Sequence, residues 1–133
     1  CPPSLGLLTV NALVASDGIL VPVQCEYFAL EGLGQLLKTM DLVRSYLRED
    51  LSLSGLVMTM FDGRTRLSRE VVDEVRRQFG DLVLETIIPR NVKLSEAPSH
   101  GRPIGYNDPQ SAGAEAFRDL AREVAERWLD RKP

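Results

Sequence analysis

Three apolar runs constrain the fold of this chain more than any other feature: Ile19–Val23, Leu53–Phe61 and Leu82–Ile88. Turn-forming residues stand beside them, Asp17-Gly18 before the first, Asp62-Gly63 after the second and Pro89 after the third. Continuous apolarity marks a strand covered on both faces, which is the habit of parallel sheets. Between the runs the apolar spacing becomes helical, first at Leu33, Leu36, Leu37, Met40, Val43 and Leu47, then at Val71, Val72, Val75 and Phe79. Strands alternating with helices imply right-handed crossovers and helices on both faces of the sheet. The expected fold class is therefore α/β, in three layers. Three strands are few against a mean of about five or six, so the pattern reads as the second half of a doubly wound domain.

The flanking segments fill in the elements. Ser4 is placed to cap a first helix with apolar positions Leu7, Leu8, Val10, Leu13 and Val14. Gly32 and Gly34 are costly inside a helix. They imply a close approach, tight packing on the sheet, or a helix that starts near Leu30. Ser68 is a candidate cap for the helix that Gly80 is placed to end. Pro89 is expected to stop the third strand, because proline has no N–H to give a ladder. A short helix is expected over 92–96 and a turn at Tyr106-Asn107-Asp108-Pro109. The final helix is expected over about 111–130, with Phe117, Leu120, Ala121, Val124 and Trp128 on one face.

The 133 residues suit one domain, and 44% hydrophobic with 26% charged residues is a globular composition. No apolar run reaches the roughly 18 residues a membrane span needs. Cys1-Pro2-Pro3-Ser4 carries no basic region of the kind that opens a secretory leader, so a cytoplasmic protein with reduced Cys1 and Cys25 is expected. A single histidine, His100, lies far from both cysteines in sequence, and no metal site is expected. With a net charge of −3, any contact with nucleic acid needs a local basic patch.

Two loops offer such a patch. Residues 64–69 hold Arg64, Arg66 and Arg69 with no acid, and residues 90–102 hold Arg90, Lys93 and Arg102 against Glu96 alone. Both follow strands, and ligands of open α/β sheets sit beyond the carboxyl ends of strands. The plain alternative is a pair of solvated loops with ordinary surface charge.

Four collinear segments carry a family resemblance: Cys1–Gly6 (CPPSLG), Val21–Gly32 (VPVQCEYFALEG), Ile88–Gly101 (IPRNVKLSEAPSHG) and Tyr106–Glu115 (YNDPQSAGAE). Together they resemble the ParA/Soj family of chromosome- and plasmid-partition ATPases, over nearly the whole chain. The resemblance implies a P-loop NTPase that binds ATP and Mg2+, forms an ATP-dependent homodimer, binds DNA without sequence specificity and is stimulated by a ParB-type partner. It further implies a cytoplasmic, nucleoid-associated protein.

The family's lysine-bearing phosphate loop has no counterpart here, since no G-x-x-x-x-G-K-[ST] or variant of it occurs. Residues 1–133 are thus expected to be the C-terminal portion of such an ATPase domain, with no catalytic residue of its own and no activity alone. By the resemblance, Met60, Phe61, Pro89, Arg90 and Asn91 border the adenine. Arg64 and Lys93 match the family's DNA-binding arginines, with Arg66 and Arg102 as further DNA-facing cations. Lysine at 93 keeps the charge but loses the bidentate fork. Two other readings stand beside this one: a MinD-like membrane-associated ATPase, and a non-catalytic interaction domain derived from the family.

Overall fold

The three apolar runs form one parallel sheet in the order β1–β2–β3. The computed structural model describes residues 6–129. The elements, in chain order, are α1 (Leu7–Ala15), β1 (Ile19–Gln24), α2 (Tyr27–Tyr46), β2 (Leu53–Phe61), α3 (Arg66–Phe79), β3 (Val83–Pro89), α4 (Val92–Glu96), α5 (Ile104–Asn107) and α6 (Ala112–Val124). A 3-10 turn precedes β3, another follows α4 at Ala97–His100, and a π turn extends α6 over Ala125–Leu129.

Helices cover both faces, as the apolar runs imply. Alternation along the strands sends Val21, Val23, Leu56, Met58 and Val83 towards α2 and α3, where Leu33, Val71, Val72 and Val75 meet them. Val57, Leu84 and Ile88 point the other way and pack under Ala116, with Leu120, Val124 and Trp128 around them. Leu56, Met58 and Leu84 are fully enclosed. Burial of each such side chain contributes about 1.5–3 kcal/mol. Beyond β1, α6 does not reach, and Leu20, Pro22 and Gln24 stay exposed on that side.

Several local expectations are corrected. Ser4 lies outside the described residues, and so does the far end of the last helix at Asp130. Leu7 and Leu8 are exposed, because α1 buries a single row, Thr9 and Leu13, the latter against Val43 and Leu51. α2 begins at Tyr27, so Gly32 and Gly34 are both interior, and a Cβ built on either meets nothing within 4 Å. Thr65, not Ser68, caps α3: its Oγ1 accepts the Ser68 N–H at 3.3 Å, while Ser68 is buried one turn in. Gly80 ends α3 at φ 52°, a backbone that glycine adopts without penalty.

β3 ends at Pro89, as expected, and the proline itself still pairs with Phe61. The next residue, Arg90, gives its N–H to the Phe61 carbonyl at 2.9 Å. Successive N–H groups of a strand point to opposite sides, so the missing donor of Pro89 faces away from β2 and no ladder bond is lost. Among the α6 residues expected in the core, Ala121 is exposed and Phe117 is 44% exposed.

Candidate functional site

Since β2 and β3 are adjacent and parallel, their following loops leave the sheet at one edge. The Arg90–Phe61 backbone bond ties the two loops together. One residue before that tie, Met60 adopts φ 55°, a left-handed backbone that is uncommon outside glycine. Between Met58 and Phe61, β2 carries one residue more than β3 does between Ile87 and Pro89. The strand is therefore bulged, and a bulge re-aims a side chain. Strain of this kind costs on the order of 1 kcal/mol and persists where the surroundings fix it.

Met60 stands at the wall of a cavity of about 510 Å3. Pro89, Arg90 and Asn91 line it from the β3 loop, and Leu94 and Phe117 from α4 and α6. Glycine at 113 makes this corner possible: a Cβ there would lie 2.6 Å from Leu94 Cγ, so α4 rests on α6 without a side chain between them. The volume is within the usual range for a small-molecule site, roughly 300–1,000 Å3. Four of the five residues expected at the adenine thus converge. Phe61 does not line this cavity; it packs against the α2/α3-side core and contributes its carbonyl to the loop tie. Asn91 is partly committed, since its Oδ1 accepts the Lys93 N–H at 2.8 Å and so caps α4. Its amide Nδ2 has no hydrogen-bond partner among the described residues. Phe117 was legible only as a member of the α6 apolar stripe, and nothing in the helical spacing marks it as a wall residue.

The basic residues sort by their partners. Asp62, just outside the acid-free window of residues 64–69, binds Arg64 at two points, Oδ1 to Nε at 2.9 Å and Oδ2 to Nη2 at 2.7 Å. That guanidinium, with the Arg64 N–H, holds the Asp62 carboxyl well below the usual carboxylate range. Arg66 pairs with Glu70 at 2.6 Å along α3, and Arg69 donates to the Gly63 carbonyl. Lys93 donates to Glu96 at 2.9 Å, and this bond raises the lysine above its ordinary value. The side chains of Arg90 and Arg102 make no ion pair or hydrogen bond among the described residues. The two loops are therefore less positive than their sequence windows imply. Among the described residues no group of three or more His, Cys, Asp or Glu is placed to hold a metal ion.

A family model described as an AAA domain matches residues 1–53. The chain is 61% identical over 125 residues to the sporulation initiation inhibitor protein Soj of Bacillus subtilis, covering 94% of this chain and 49% of that protein. It is 53% identical over 133 residues to the chromosome partitioning protein ParA of Myxococcus xanthus, covering 100% of this chain and 47% of that one. The chain spans about half the length of the curated relatives it matches. Among solved structures, cobyrinic acid a,c-diamide synthase from Mycobacterium smegmatis, with bound ADP and magnesium, superposes at a TM-score of 0.74 with 36% identity over 99% of this chain and 46% of that one. The septum site-determining protein MinD from Pyrococcus horikoshii superposes at 0.66 with 24% identity over 93% of this chain and 47% of that one, a likeness of fold.

Proposed function

The chain belongs to the ParA/Soj family, and on that premise we propose that it is the C-terminal portion of a chromosome-partition ATPase, holding the base of ATP and facing DNA along one sheet edge. The observation that carries this reading is the cavity under Met60, Pro89 and Asn91, which opens at the carboxyl ends of β2 and β3 and is lined by Arg90 and Asn91 of the second basic loop.

The residues fit the base end of a nucleotide. Apolar walls from Met60, Pro89 and Phe117 suit the faces of a purine, and the free Asn91 amide suits its edge. The chain has no phosphate loop to cradle a triphosphate. ATP with Mg2+ supplies the phosphoryl group, and the segment that holds its phosphates lies outside residues 1–133. This chain alone is then inactive as an ATPase. In the full-length protein, ATP-dependent pairing of two copies doubles the basic edge and raises avidity without new contacts. A ParB-type partner stimulates turnover, and the protein works in the cytoplasm on the nucleoid. Ala116, Leu120, Val124 and Trp128 are packed on β2 and β3, so that stripe is not available to a membrane.

The test uses the full-length protein. Phe117→Ala and Asn91→Ala weaken nucleotide binding and leave DNA affinity at saturating ATP unchanged. Arg64→Ala and Lys93→Ala weaken binding to all DNA sequences alike and flatten the salt slope by roughly one unit each, with ATP binding intact. Unchanged DNA affinity in both basic variants removes the DNA assignment. Loss of ATP binding in either moves that residue into the nucleotide site.

A further inference from the structure

We propose that Asp62 is a built-in competitor for the DNA backbone: its carboxylate occupies Arg64 in the free protein and sets the affinity of that arginine for phosphate. This inference rests on the reading of Arg64 as a DNA-contacting cation.

The two side chains are anchored very unequally. Asp62 is held from several directions. Its N–H donates to Ser68 Oγ at 3.4 Å, and its carbonyl accepts the Thr65 N–H and hydroxyl, both at 3.0 Å. Ser68 is itself buried and donates to the Cys25 carbonyl at the end of β1. The Asp62 side chain is only 16% exposed, whereas that of Arg64 is 88% exposed. Arg64 therefore owes its position to Asp62, through the bidentate pair and through its N–H on Oδ1 at 3.0 Å.

The chemistry of the pair is that of an arginine on a phosphate. A guanidinium presents its donors in a fixed fork that matches carboxylate and phosphate equally well. Asp62 takes two of those donors, Nε and Nη2. A DNA phosphate then has two routes. It displaces the carboxylate, or it binds Nη1 with the Asp62 charge within a Debye length of about 8–10 Å. Both routes lower the affinity. Asp62 stays ionised through the neutral range, because Arg64 lowers its titration, so the competitor is always present. The counter-argument is that Asp62 pre-orients Arg64 and thereby helps it bind. With Arg64 so exposed, ordering it contributes less than removing a like charge beside the phosphate. Lys93 on Glu96 is a weaker version of the same arrangement, a single bond between two half-exposed side chains.

The experiment measures affinity of the full-length protein, at saturating ATP, for a random-sequence duplex over a salt series. Four forms are compared: wild type, Asp62→Asn, Arg64→Ala and the double variant. Asp62→Asn keeps an oxygen for the Arg64 N–H and removes the charge. The expected result is binding tighter by about two- to fivefold, the scale of an exposed ion pair. The salt slope steepens by up to about one unit, as a newly freed cation should give. In the Arg64→Ala background the same change has no effect. Asp62→Ser, which also keeps an acceptor, repeats the measurement should the Asn form fold poorly. If Arg64→Ala weakens binding but neither Asp62 variant tightens it, the competitor idea is overturned while the DNA reading stands. Equal tightening with and without Arg64 also overturns it, as a general charge effect. No effect of Arg64→Ala takes Arg64 off the DNA surface and overturns the competitor with it, while the DNA reading then rests on Lys93.

Discussion

The two outer edges of the sheet are finished differently. Along β3, Glu123 reaches down from α6, and its two carboxylate oxygens accept the N–H groups of Glu85 and Thr86, each at 2.9 Å. Arg127 braces the same carboxylate at 2.8 Å. α6 also closes the face of β3, and Leu84 beneath it is fully buried. Along β1, among the described residues, no side chain meets the outer backbone donors, and Leu20 is 38% exposed on the uncovered face. Strand edges present unpaired donors and acceptors that invite other chains. One edge is thus closed by a charge-assisted clamp, and the other is left for something else to cover. The loops proposed to bind nucleotide and DNA follow β2 and β3, on the finished side.

The largest expected effect comes from comparing the two faces directly. Leu84→Ala empties a fully enclosed site and should cost about 3 kcal/mol, within the range for buried leucines. Leu20→Ala, on the bare face of β1, should cost less than about 1 kcal/mol. Urea unfolding of the two variants with an unchanged m-value checks both. Equal losses would mean that the β1 face is covered after all.

Next is the clamp. Glu123→Ala leaves two backbone donors without their acceptor and should cost about 1–2 kcal/mol. The effect carries a pH signature. Burial raises the Glu123 carboxyl, but the bonds from Thr86 and Glu85 and the charge of Arg127 outweigh it, and the net direction is down. A depressed carboxylate contributes its stability above the unfolded value, near 4.5, and loses it as pH falls through the folded value. The gap between wild type and Glu123→Ala should therefore be constant near pH 7 and shrink below about pH 4.5. A gap that ignores acid would show that Glu123 acts through packing alone.

These edges also show what the sequence carries and what it hides. The three strands, the α/β class and the parallel order follow from continuous apolar runs set between helical spacings, and the structure has all of them. Four of the five expected cavity residues meet because they end or follow adjacent strands, which is a consequence of topology. The misses have register or tertiary causes. Phe61 and Phe117 exchange roles because a bulge at Met60 and the α4–α6 contact at Gly113 decide which aromatic lines the cavity, and neither shows in periodicity. The acid-free window at 64–69 reads as electropositive only until Asp62 folds back across the turn onto Arg64.

Proline is the sharpest instance, and it gives the smallest predicted effect. Pro22 lies in the middle of β1 and Pro89 ends β3, yet neither breaks the sheet. The N–H groups of Ile19 and Cys25 donate to the Ser52 and Thr59 carbonyls of the β2 side, at 3.0 and 2.9 Å. By alternation, the donors at even positions of β1 face away from β2. The missing donor of Pro22 therefore lies on the open edge, where it blunts pairing with another chain. Pro22→Val restores a donor at the centre of that edge. Pairing between β1 and β2 is untouched, so the loss of stability should stay below about 1 kcal/mol, mostly from the greater freedom of the unfolded chain. Self-association should rise instead, read by sedimentation velocity over a concentration series. The control is Pro89→Val, whose new donor also points away from β2 but stands at a strand end beside the arginine loop. It should leave the sedimentation profile unchanged. Equal association in both variants would mean that the open edge of β1 is no stickier than the finished one, and the contrast between the two edges would fail at its weakest point.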